Sequence, residues 1–430
     1  FGNGIIVLRG SSMDIGIFEQ YESEVRSYCR KFPKVFKKAK GPYIYDEDNN
    51  KYLDFFCGAG ALNYGHNNDY IKSKVVQYLL DDGIVHAMDM YNVAKGEFVE
   101  TYEEKILKPR GLDYKIMFTG PTGANANEAA LKLARKVTGR TNVFALMGCF
   151  HGMTLGTLAL TTEDGARKGA GVPMGNVTHI PAPYMFPELD TIAYMERLLT
   201  DDHSGVDKPA ALVIESVQAE GGIYVLPEQW LQRARALCDK YGILMICDEV
   251  QIGNFRTGDY FSFERANIVP DIVTVAKSIG GMGMPFALTL FKKELDIWSP
   301  GEHNGTFRGF QLATVSGKAG IEFALENNIS SEVKRKEKVI ANLIENKILP
   351  ISDKLSYRGL GMIWGIDFGK FPTGTAKKVS AACFKRNLII ELAGREDCVL
   401  KPMPALITSE EDLEKGFSII AEATREVLGL

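Results

Sequence analysis

The feature that most constrains this fold is a series of short apolar runs between residues 115 and 292 in which apolar and polar residues do not alternate. Strands without alternation are buried on both faces, which is typical of a parallel sheet covered by helices. Helical patterns at 125–136 and 227–241 separate several of the runs. The chain is therefore predicted to be α/β, with a large, mostly parallel, doubly wound sheet domain. The runs are Ile116–Thr119, Val143–Met147, Val177–Ile180, Ala211–Glu215, Leu244–Asp248, Ile272–Ala276 and Ala287–Phe291.

The sequence on both sides of this region predicts a second, smaller α+β domain. Residues 41–55 alternate apolar and polar around a polar turn, which is typical of a β-hairpin. Helical and strand patterns return after about residue 320, with strands predicted at 361–368, 388–392 and 399–403. We therefore predict that 13–65 form the N-terminal part of the small domain, 66–320 the large domain and 321–430 the C-terminal part of the small domain.

The last predicted element is an amphipathic helix that closes the chain. Thr408 and Glu411 have the spacing of a capping box, and an apolar stripe lies directly after them. Residues 1–12, before Met13, differ in character from the rest of the chain and are left out of the fold prediction.

The charge balance and the cysteines narrow the choice of partner. Lys and Arg number 50 and Asp and Glu 54, so a net charge of −4 provides no positive field to attract nucleic acid or a membrane surface. A small-molecule partner is expected. The seven cysteines are scattered and include no C-x-x-C pair, which predicts neither a metal site nor a disulfide framework. Reduced thiols and a cytoplasmic location fit this pattern.

The carboxyl ends of parallel strands are where open α/β sheets bind ligands, and a glycine turn follows the first run there. In Phe118-Thr-Gly-Pro-Thr-Gly-Ala a strand passes through this turn into a helix. The backbone N–H groups at that helix N-terminus, with the Thr122 hydroxyl, would suit a phosphate. The segment lacks the Walker A ending and the dinucleotide-binding pattern. A plain strand-to-helix turn is the alternative.

Three more places carry polar or aromatic residues at strand ends. Asp248 ends a very apolar run, where its carboxylate needs a partner such as a ring N–H⁺ or, more commonly, nearby backbone. Lys277 ends another, and a desolvated lysine suits covalent chemistry with an aldehyde, although a structural lysine with its head in water is the alternative. Phe150 and His151 follow a third run, where core packing is the simpler interpretation. Pyridoxal phosphate requires all four features together: a phosphate cradle, an aromatic face, a carboxylate for the ring nitrogen and a lysine.

From Met13 onward the order of these motifs resembles the class III (ω-type) pyridoxal-phosphate aminotransferases of fold type I. The resemblance implies a homodimer with shared active sites, because Thr306 in Asn304-Gly-Thr-Phe-Arg matches a threonine that reaches the neighbouring subunit's phosphate. It implies two catalytic residues, Lys277 as the covalent anchor and Asp248 at the ring nitrogen. The cofactor-binding residues that it implies are Thr122, Gly123, Ala124, Phe150, His151, Asp248, Val250, Gln251, Lys277 and Thr306.

Six segments resemble more narrowly the diaminobutyrate-forming members of that family, which serve ectoine biosynthesis. This implies transfer of the amino group of L-glutamate to L-aspartate 4-semialdehyde, giving 2-oxoglutarate and L-2,4-diaminobutyrate. Another ω-aminotransferase, acting on ornithine, γ-aminobutyrate or a specialised-metabolite aldehyde, is the first alternative. A noncatalytic pyridoxal-phosphate sensor is the second, and the intact Lys277 counts against it. The segments are 26–33, 62–67, 88–91, 118–140, 205–215 and 301–309.

Three residues are predicted to bind substrate. Related ω-aminotransferases use a glutamate and an arginine as a gate, and the matching positions here are Glu220 and Lys401. Lysine is a point charge without the planar fork of arginine, so it captures a carboxylate less directionally. We therefore predict that Arg308, in the segment expected at the dimer interface, clamps the α-carboxylate of glutamate. An ordinary interface ion pair is the alternative role for Arg308.

Overall fold

The structure is a computed structural model that describes residues 13–430. Residues 1–12, which the sequence analysis set apart, lie outside the described residues. The strands in chain order are β1 (Phe36–Lys40), β2 (Tyr43–Asp46), β3 (Lys51–Asp54), β4 (Tyr114–Phe118), β5 (Val143–Leu146), β6 (Val177–Ile180), β7 (Ala211–Ile214), β8 (Val217–Gln218), β9 (Tyr224–Val225), β10 (Leu244–Asp248), β11 (Ile272–Val275), β12 (Leu288–Lys292), β13 (Ser356–Leu360), β14 (Ile363–Asp367), β15 (Leu388–Ile389), β16 (Glu391–Ala393) and β17 (Val399–Lys401).

Helices connect most of the strands and cover the sheets. They are α1 (Gly16–Tyr21), α2 (Tyr28–Lys31), α3 (Cys57–Gly60), α4 (Asp69–Leu80), α5 (Val93–Tyr102), α6 (Gly123–Thr138), α7 (Leu155–Leu160), α8 (Asp164–Arg167), α9 (Thr191–Thr200), α10 (Glu228–Tyr241), α11 (Gln311–Glu326), α12 (Ile329–Leu343), α13 (Thr375–Lys385) and α14 (Glu410–Leu428). Within residues 13–430, no helix is both long and apolar enough to span a membrane.

The central sheet has seven strands in the order β4-β12-β11-β10-β7-β5-β6. Only β12 runs antiparallel to its neighbours, so the carboxyl ends of the other strands point to one edge. The seven apolar runs singled out in the sequence are the seven strands of this sheet, and β5, β7 and β11 are buried along their whole length. The α/β, fold type I prediction is confirmed. The runs do not alternate because a strand that is buried on both faces has no polar side.

Two smaller sheets are built from residues on both sides of the large one. The first has the order β1-β2-β3-β15, in which the N-terminal strands are antiparallel and β15 joins β3 in parallel. The second is an antiparallel sheet with the order β13-β14-β17-β16. A short β8–β9 hairpin carries Glu220 in its loop.

Two local details differ from the sequence expectations. The run 388–392 was expected to be one strand, but it divides at Ile390 between the two small sheets. The N-cap of α14 is Ser409, whose Oγ accepts the N–H of Asp412 at 3.1 Å. Thr408, the predicted cap, is instead fully buried. Either residue type can cap a helix, and the buried position of Thr408 decides between the two.

Candidate active site

Four connections at the carboxyl edge of the central sheet bring the predicted site together. Asp248 is the last residue of β10, and Lys277 follows β11 after one intervening residue. Phe150 lies beyond the end of β5, and α6 begins at Gly123 after the turn that follows β4. Because β4, β5, β10 and β11 all point to this edge, residues distant in sequence converge there.

A cavity of about 340 Å³ opens at this edge. That volume is within the range of small-molecule sites. Thr122, Thr306, Arg308 and Lys401 are not part of its lining in this chain. Nine of the residues predicted from the sequence line it: Gly123, Ala124, Phe150, His151, Glu220, Asp248, Val250, Gln251 and Lys277.

Lys277 occupies an unusual backbone conformation at the base of the cavity. Its φ of 55° lies in the left-handed region that side chains other than glycine seldom adopt. The Lys277 amine donates to the carbonyl oxygen of Ala59 at 2.8 Å, and the Gln251 amide donates to the same oxygen at 2.8 Å. Burial lowers the pKa of Lys277 below its usual value, with the charge of Lys401 acting in the same direction.

Asp248 has the partners that a buried carboxylate requires. Its Oδ1 accepts the N–H of Val250 at 3.0 Å. Its Oδ2 lies 2.7 Å from His151 Nδ1 and accepts from Asn127 Nδ2 at 2.8 Å. Burial by itself would lower the pKa of His151, but Cys149 and Asp248 outweigh it and raise this pKa well above its usual value. The carboxylate is thereby fixed in orientation at the cavity wall.

Asn127 and Glu215 are site residues that the sequence analysis missed. Asn127 lies on the buried, otherwise alanine- and leucine-rich face of α6, and an amide on such a stripe was the available signal. Glu215 follows β7, and its Oε1 accepts the N–H of Phe150 at 3.0 Å. Burial raises the pKa of Glu215 to about 7. A carboxylate ending an apolar run was the same signal that marked Asp248.

The predicted gate pair is in contact, and a third residue joins it. Lys401 Nζ lies 2.6 Å from Glu220 Oε1 and 3.1 Å from Glu391 Oε2, and the lysine side chain is fully buried. Burial by itself would lower the pKa of Lys401, but the two carboxylates outweigh it and raise this pKa above its usual value. Glu391 was missed, although a charged residue inside an apolar run was visible in the sequence. A lysine with two carboxylate partners is already compensated.

The remaining predicted residues lie outside the cavity of this chain. Thr122 caps α6, with its Oγ1 accepting the N–H of Asn125 at 3.1 Å. Thr306 is exposed in the loop before α11. Arg308 donates to the carbonyl oxygen of His303 at 2.6 Å in the same loop. The roles of Thr306 and Arg308 were predicted for the neighbouring subunit's site, and they stay predictions.

The residues of the cavity fit pyridoxal phosphate. The N-terminus of the 16-residue α6 offers backbone N–H groups for a phosphate. Gly123 has no room for a side chain, because a Cβ there would lie 2.7 Å from Val250 Cγ1. The absence of a side chain at Gly123 leaves the backbone at the start of α6 open to a ligand in the cavity. The Phe150 ring, a fixed carboxylate at Asp248 and a lysine with a lowered pKa complete the required set of groups.

Comparison with known proteins agrees with this geometry. The Aminotransferase class-III profile matches residues 26–424. The chain belongs to the class III aminotransferase family. It is similar to the diaminobutyrate–2-oxoglutarate transaminase of Halalkalibacterium halodurans, with 48% identity over 97% of this aminotransferase and 98% of that protein. For the Wolinella succinogenes enzyme of the same name the identity is 49%, over 96% of each chain.

The fold of this aminotransferase is also that of solved relatives. The taurine:2-oxoglutarate aminotransferase of Bifidobacterium kashiwanohense, determined in complex with PLP and glutamate, matches with a TM-score of 0.81 and 25% identity. The match covers 92% of this aminotransferase and 93% of that structure.

Proposed function

We propose that this aminotransferase uses pyridoxal phosphate to transfer the amino group of L-glutamate to L-aspartate 4-semialdehyde, forming L-2,4-diaminobutyrate and 2-oxoglutarate. The observation that carries the proposal is that Lys277 and Asp248, from neighbouring parallel strands, line one cavity at the N-terminus of α6. The choice of substrates is supported by the two transaminases of that name, which share nearly half of their residues with this chain.

The residues predicted for the cofactor site have separate tasks in this reaction. Bound pyridoxal phosphate supplies a ring that withdraws electrons from the carbon bearing the reacting nitrogen. Asp248 keeps a proton on the ring nitrogen, which is an electrostatic contribution to proton removal. Lys277 anchors the cofactor and, as a free amine, takes the proton from the substrate carbon through its Nζ. Phe150 and Val250 enclose the ring, and Thr122, Gly123 and Ala124 bind the phosphate.

Two measurements test the reaction. The protein loaded with pyridoxal phosphate is first mixed with L-glutamate alone, and the absorbance of the lysine-bound cofactor is followed. A transaminase converts the cofactor to its amine form and releases 2-oxoglutarate, whereas a noncatalytic sensor leaves the absorbance unchanged. Aspartate 4-semialdehyde, glutamate 5-semialdehyde and succinate semialdehyde are then compared as acceptors. A higher kcat/KM for either of the latter two would contradict the diaminobutyrate assignment.

We further propose that the active form is a homodimer in which Thr306 reaches the phosphate in the neighbouring site. An exposed apolar surface supports this. It consists of Ile84, Val85, Met88, Met90, Tyr91, Val93 and Phe307, and is called the 84–93 surface. The His86 and Phe307 rings, 5.4 Å apart, connect it to the loop that holds Thr306 and Arg308. A group of exposed large apolar side chains so close in sequence is typical of an interface.

Within that dimer we propose that Arg308 clamps the α-carboxylate of glutamate. The Arg308→Ala variant should then raise the KM for glutamate far more than it weakens cofactor binding or dimerisation. Sedimentation at the assay concentration provides the control. An unchanged KM together with a dissociated dimer would favour the interface ion pair instead.

The cellular setting belongs to the same proposal. We propose a cytoplasmic enzyme of ectoine biosynthesis. The cytoplasmic part is supported by the seven cysteines, all of which are free within the described residues. The pathway is supported by the six sequence segments that resemble the diaminobutyrate-forming members of the family.

A further inference from the structure

A second cavity, of about 620 Å³, adjoins the one that contains Lys277. The two cavities share Phe150, Glu163 and Glu220 as lining residues. The second one, called the outer cavity, is bounded on its other side by 392–397. A substrate whose reacting end lies at Lys277 therefore has room to place its other end in the outer cavity.

One wall of the outer cavity carries an arginine at the end of a stacked column. The rings of Tyr184 and Tyr224 are stacked at 3.6 Å between centroids, with 3° between their planes. Arg358 lies 3.8 Å from the Tyr224 ring centroid, and Arg395 lies 5.9 Å from that of Tyr184. The Tyr184 hydroxyl donates to Gln218 Oε1 at 2.7 Å, which fixes the ring beneath Arg395.

The backbone also positions Arg395. The N–H of Gly394 donates to the carbonyl oxygen of Glu220 at 2.9 Å, within the β8–β9 loop. The same Glu220 provides the carboxylate that binds Lys401. The residue before Arg395 is thus hydrogen-bonded to Glu220, which lines both cavities.

The two arginines of the column differ in their partners. Arg358 has a carboxylate, Asp367 Oδ2 at 2.7 Å, and also donates to the carbonyl oxygen of Gly222 at 2.7 Å. Among residues 13–430, no carboxylate oxygen lies within 4.0 Å of Arg395, and its guanidinium lies 3.7 Å from the Met185 sulfur. Arg395 is unpaired within this part of the chain although five carboxylates line the same cavity, at Glu163, Asp164, Glu220, Glu396 and Asp397. The Arg395 guanidinium is thus exposed at the outer cavity without an anionic partner among the described residues, and the planar fork of arginine matches a carboxylate.

The chemistry of the two amino donors suggests which carboxylate it would bind. In L-2,4-diaminobutyrate the reacting amine is on C4, and the carboxylate carbon is C1. In L-glutamate the reacting amine is on C2, and the side-chain carboxylate carbon is C5. In both molecules three carbon–carbon bonds separate the reacting carbon from that carboxylate. A single anchor at a fixed distance from Lys277 can therefore serve both half-reactions.

We propose that Arg395 binds this distal carboxylate of both amino donors and so selects substrates with that spacing. The inference rests on the proposed reaction and adds the residue that recognises the far end of its substrates. Arg308 keeps a separate role, since only glutamate has a second carboxylate next to the reacting carbon.

The test compares donors with and without the distal carboxylate. For diaminobutyrate the matched compound is 1,3-diaminopropane, and for glutamate it is L-2-aminobutyrate. Arg395→Met should raise the KM for diaminobutyrate and for glutamate roughly 10- to 100-fold, the usual effect of losing charge-assisted hydrogen bonds. The kcat/KM for the two matched compounds should change less than threefold. Arg395→Lys, which keeps the charge without the fork, should give an intermediate KM.

Controls separate this role from damage to the fold. Arg425→Met, at an exposed arginine on α14, should leave every KM unchanged. Glutarate, a dicarboxylate without an amine, should bind the holoenzyme at least tenfold more weakly after Arg395→Met, as measured by calorimetry. The proposal is overturned if Arg395→Met lowers kcat/KM equally for donors with and without the carboxylate, or leaves glutarate binding unchanged. If the wild type turns over neither diaminobutyrate nor the semialdehyde, the proposed reaction fails instead, and the glutamate and glutarate comparisons still decide the role of Arg395.

Discussion

At the scale of single residues, Lys277 combines a buried amine with a left-handed backbone. For residues with a side chain, the left-handed conformation costs roughly 1–2 kcal/mol. The surrounding structure must compensate for this cost, and the hydrogen bond from the Lys277 amine to Ala59 is one contact that holds the side chain. Strain of this kind tends to persist where the position of a group matters for chemistry.

The backbone strain at Lys277 predicts that, of two inactive variants, the glycine variant is more stable than the alanine variant. Lys277→Ala and Lys277→Gly should both abolish transamination while still binding the cofactor noncovalently. Urea denaturation should find Lys277→Gly more stable by about 1 kcal/mol, because glycine adopts a positive φ without steric cost. At ordinary positions glycine is the less stable choice. An alanine variant of equal or greater stability would contradict the role of backbone strain.

A second prediction concerns the Asp248→Asn variant. Activity should fall by orders of magnitude, because an amide cannot hold the proton of the ring nitrogen. Stability should also fall by about 1–3 kcal/mol, because the amide nitrogen of the variant would face one of the N–H groups that now donate to Asp248. Asp271→Asn, at a buried aspartate paired with Arg235 outside the cavity, is the control and should lose stability but keep kcat. Near-normal turnover by Asp248→Asn would assign this carboxylate a structural role.

The sequence was informative about residues whose type is unusual for their position. Lysine and aspartate at the ends of buried strands stand out, and the structure places Lys277 and Asp248 in one cavity. Asn127 and Glu391 could not be assigned in the same way, because their roles depend on a second element that reaches them through folding. The Asn127–Asp248 contact joins a helix to a strand 121 positions later.

At the scale of elements, the residue directly after β10 is a second buried carboxylate, Glu249, with its own effect on stability. Glu249 accepts the N–H of Ser262 at 2.8 Å and its hydroxyl at 2.5 Å, and it is fully buried. Burial raises the pKa of Glu249 from 4.5 to about 8. The folded chain therefore retains a proton between these two pH values that the unfolded chain has already released.

The expected consequence is a stability that falls as the pH rises from 5 to 8. This group contributes at most about 1.4 kcal/mol per pH unit over that window. Glu249→Gln, which imitates the neutral acid, should make the slope of unfolding free energy against pH smaller, as measured by urea denaturation at several pH values. Glu326→Gln, at an exposed glutamate of α11, should leave the slope unchanged. An unaltered slope in Glu249→Gln would show that this carboxylate is already ionised in the folded protein.

The pattern of apolar residues predicted the strands correctly where the same burial extends over the whole run. The seven strands of the central sheet satisfy that condition. The run 388–392 does not, because its two halves pair with different strands, β3 and β17. An apolar pattern reports burial but does not identify the strand that covers it, so the break at Ile390 could not be foreseen. The domain limits at residues 65 and 320 stay predictions, because an apolar pattern does not identify the domain that covers it either.

At the scale of the whole molecule, the 84–93 surface predicts the behaviour of the assembly. Tyr91 is fully exposed in the single chain, at 101% of its reference area, which is unusual for a large aromatic residue. Tyr91→Asp should dissociate the proposed dimer in sedimentation experiments and reduce activity at low protein concentration. Val269→Asp, at an exposed valine outside this surface, should do neither. A Tyr91→Asp protein that remains dimeric and active would place the interface elsewhere.

The parallel pairing of β3 with β15 has a consequence for synthesis on the ribosome. The N–H groups of Leu53 and Phe55 donate to the carbonyl oxygens of Asn387 and Ile389, so this edge of the β1–β3 sheet is completed only when β15 has been translated. All strands of the central sheet emerge earlier, and that sheet can form while β3 still has an open edge. Open strand edges favour pairing with other chains. For most of the time that synthesis takes, the nascent chain should therefore need chaperone protection at the β1–β3 sheet, which is translated first.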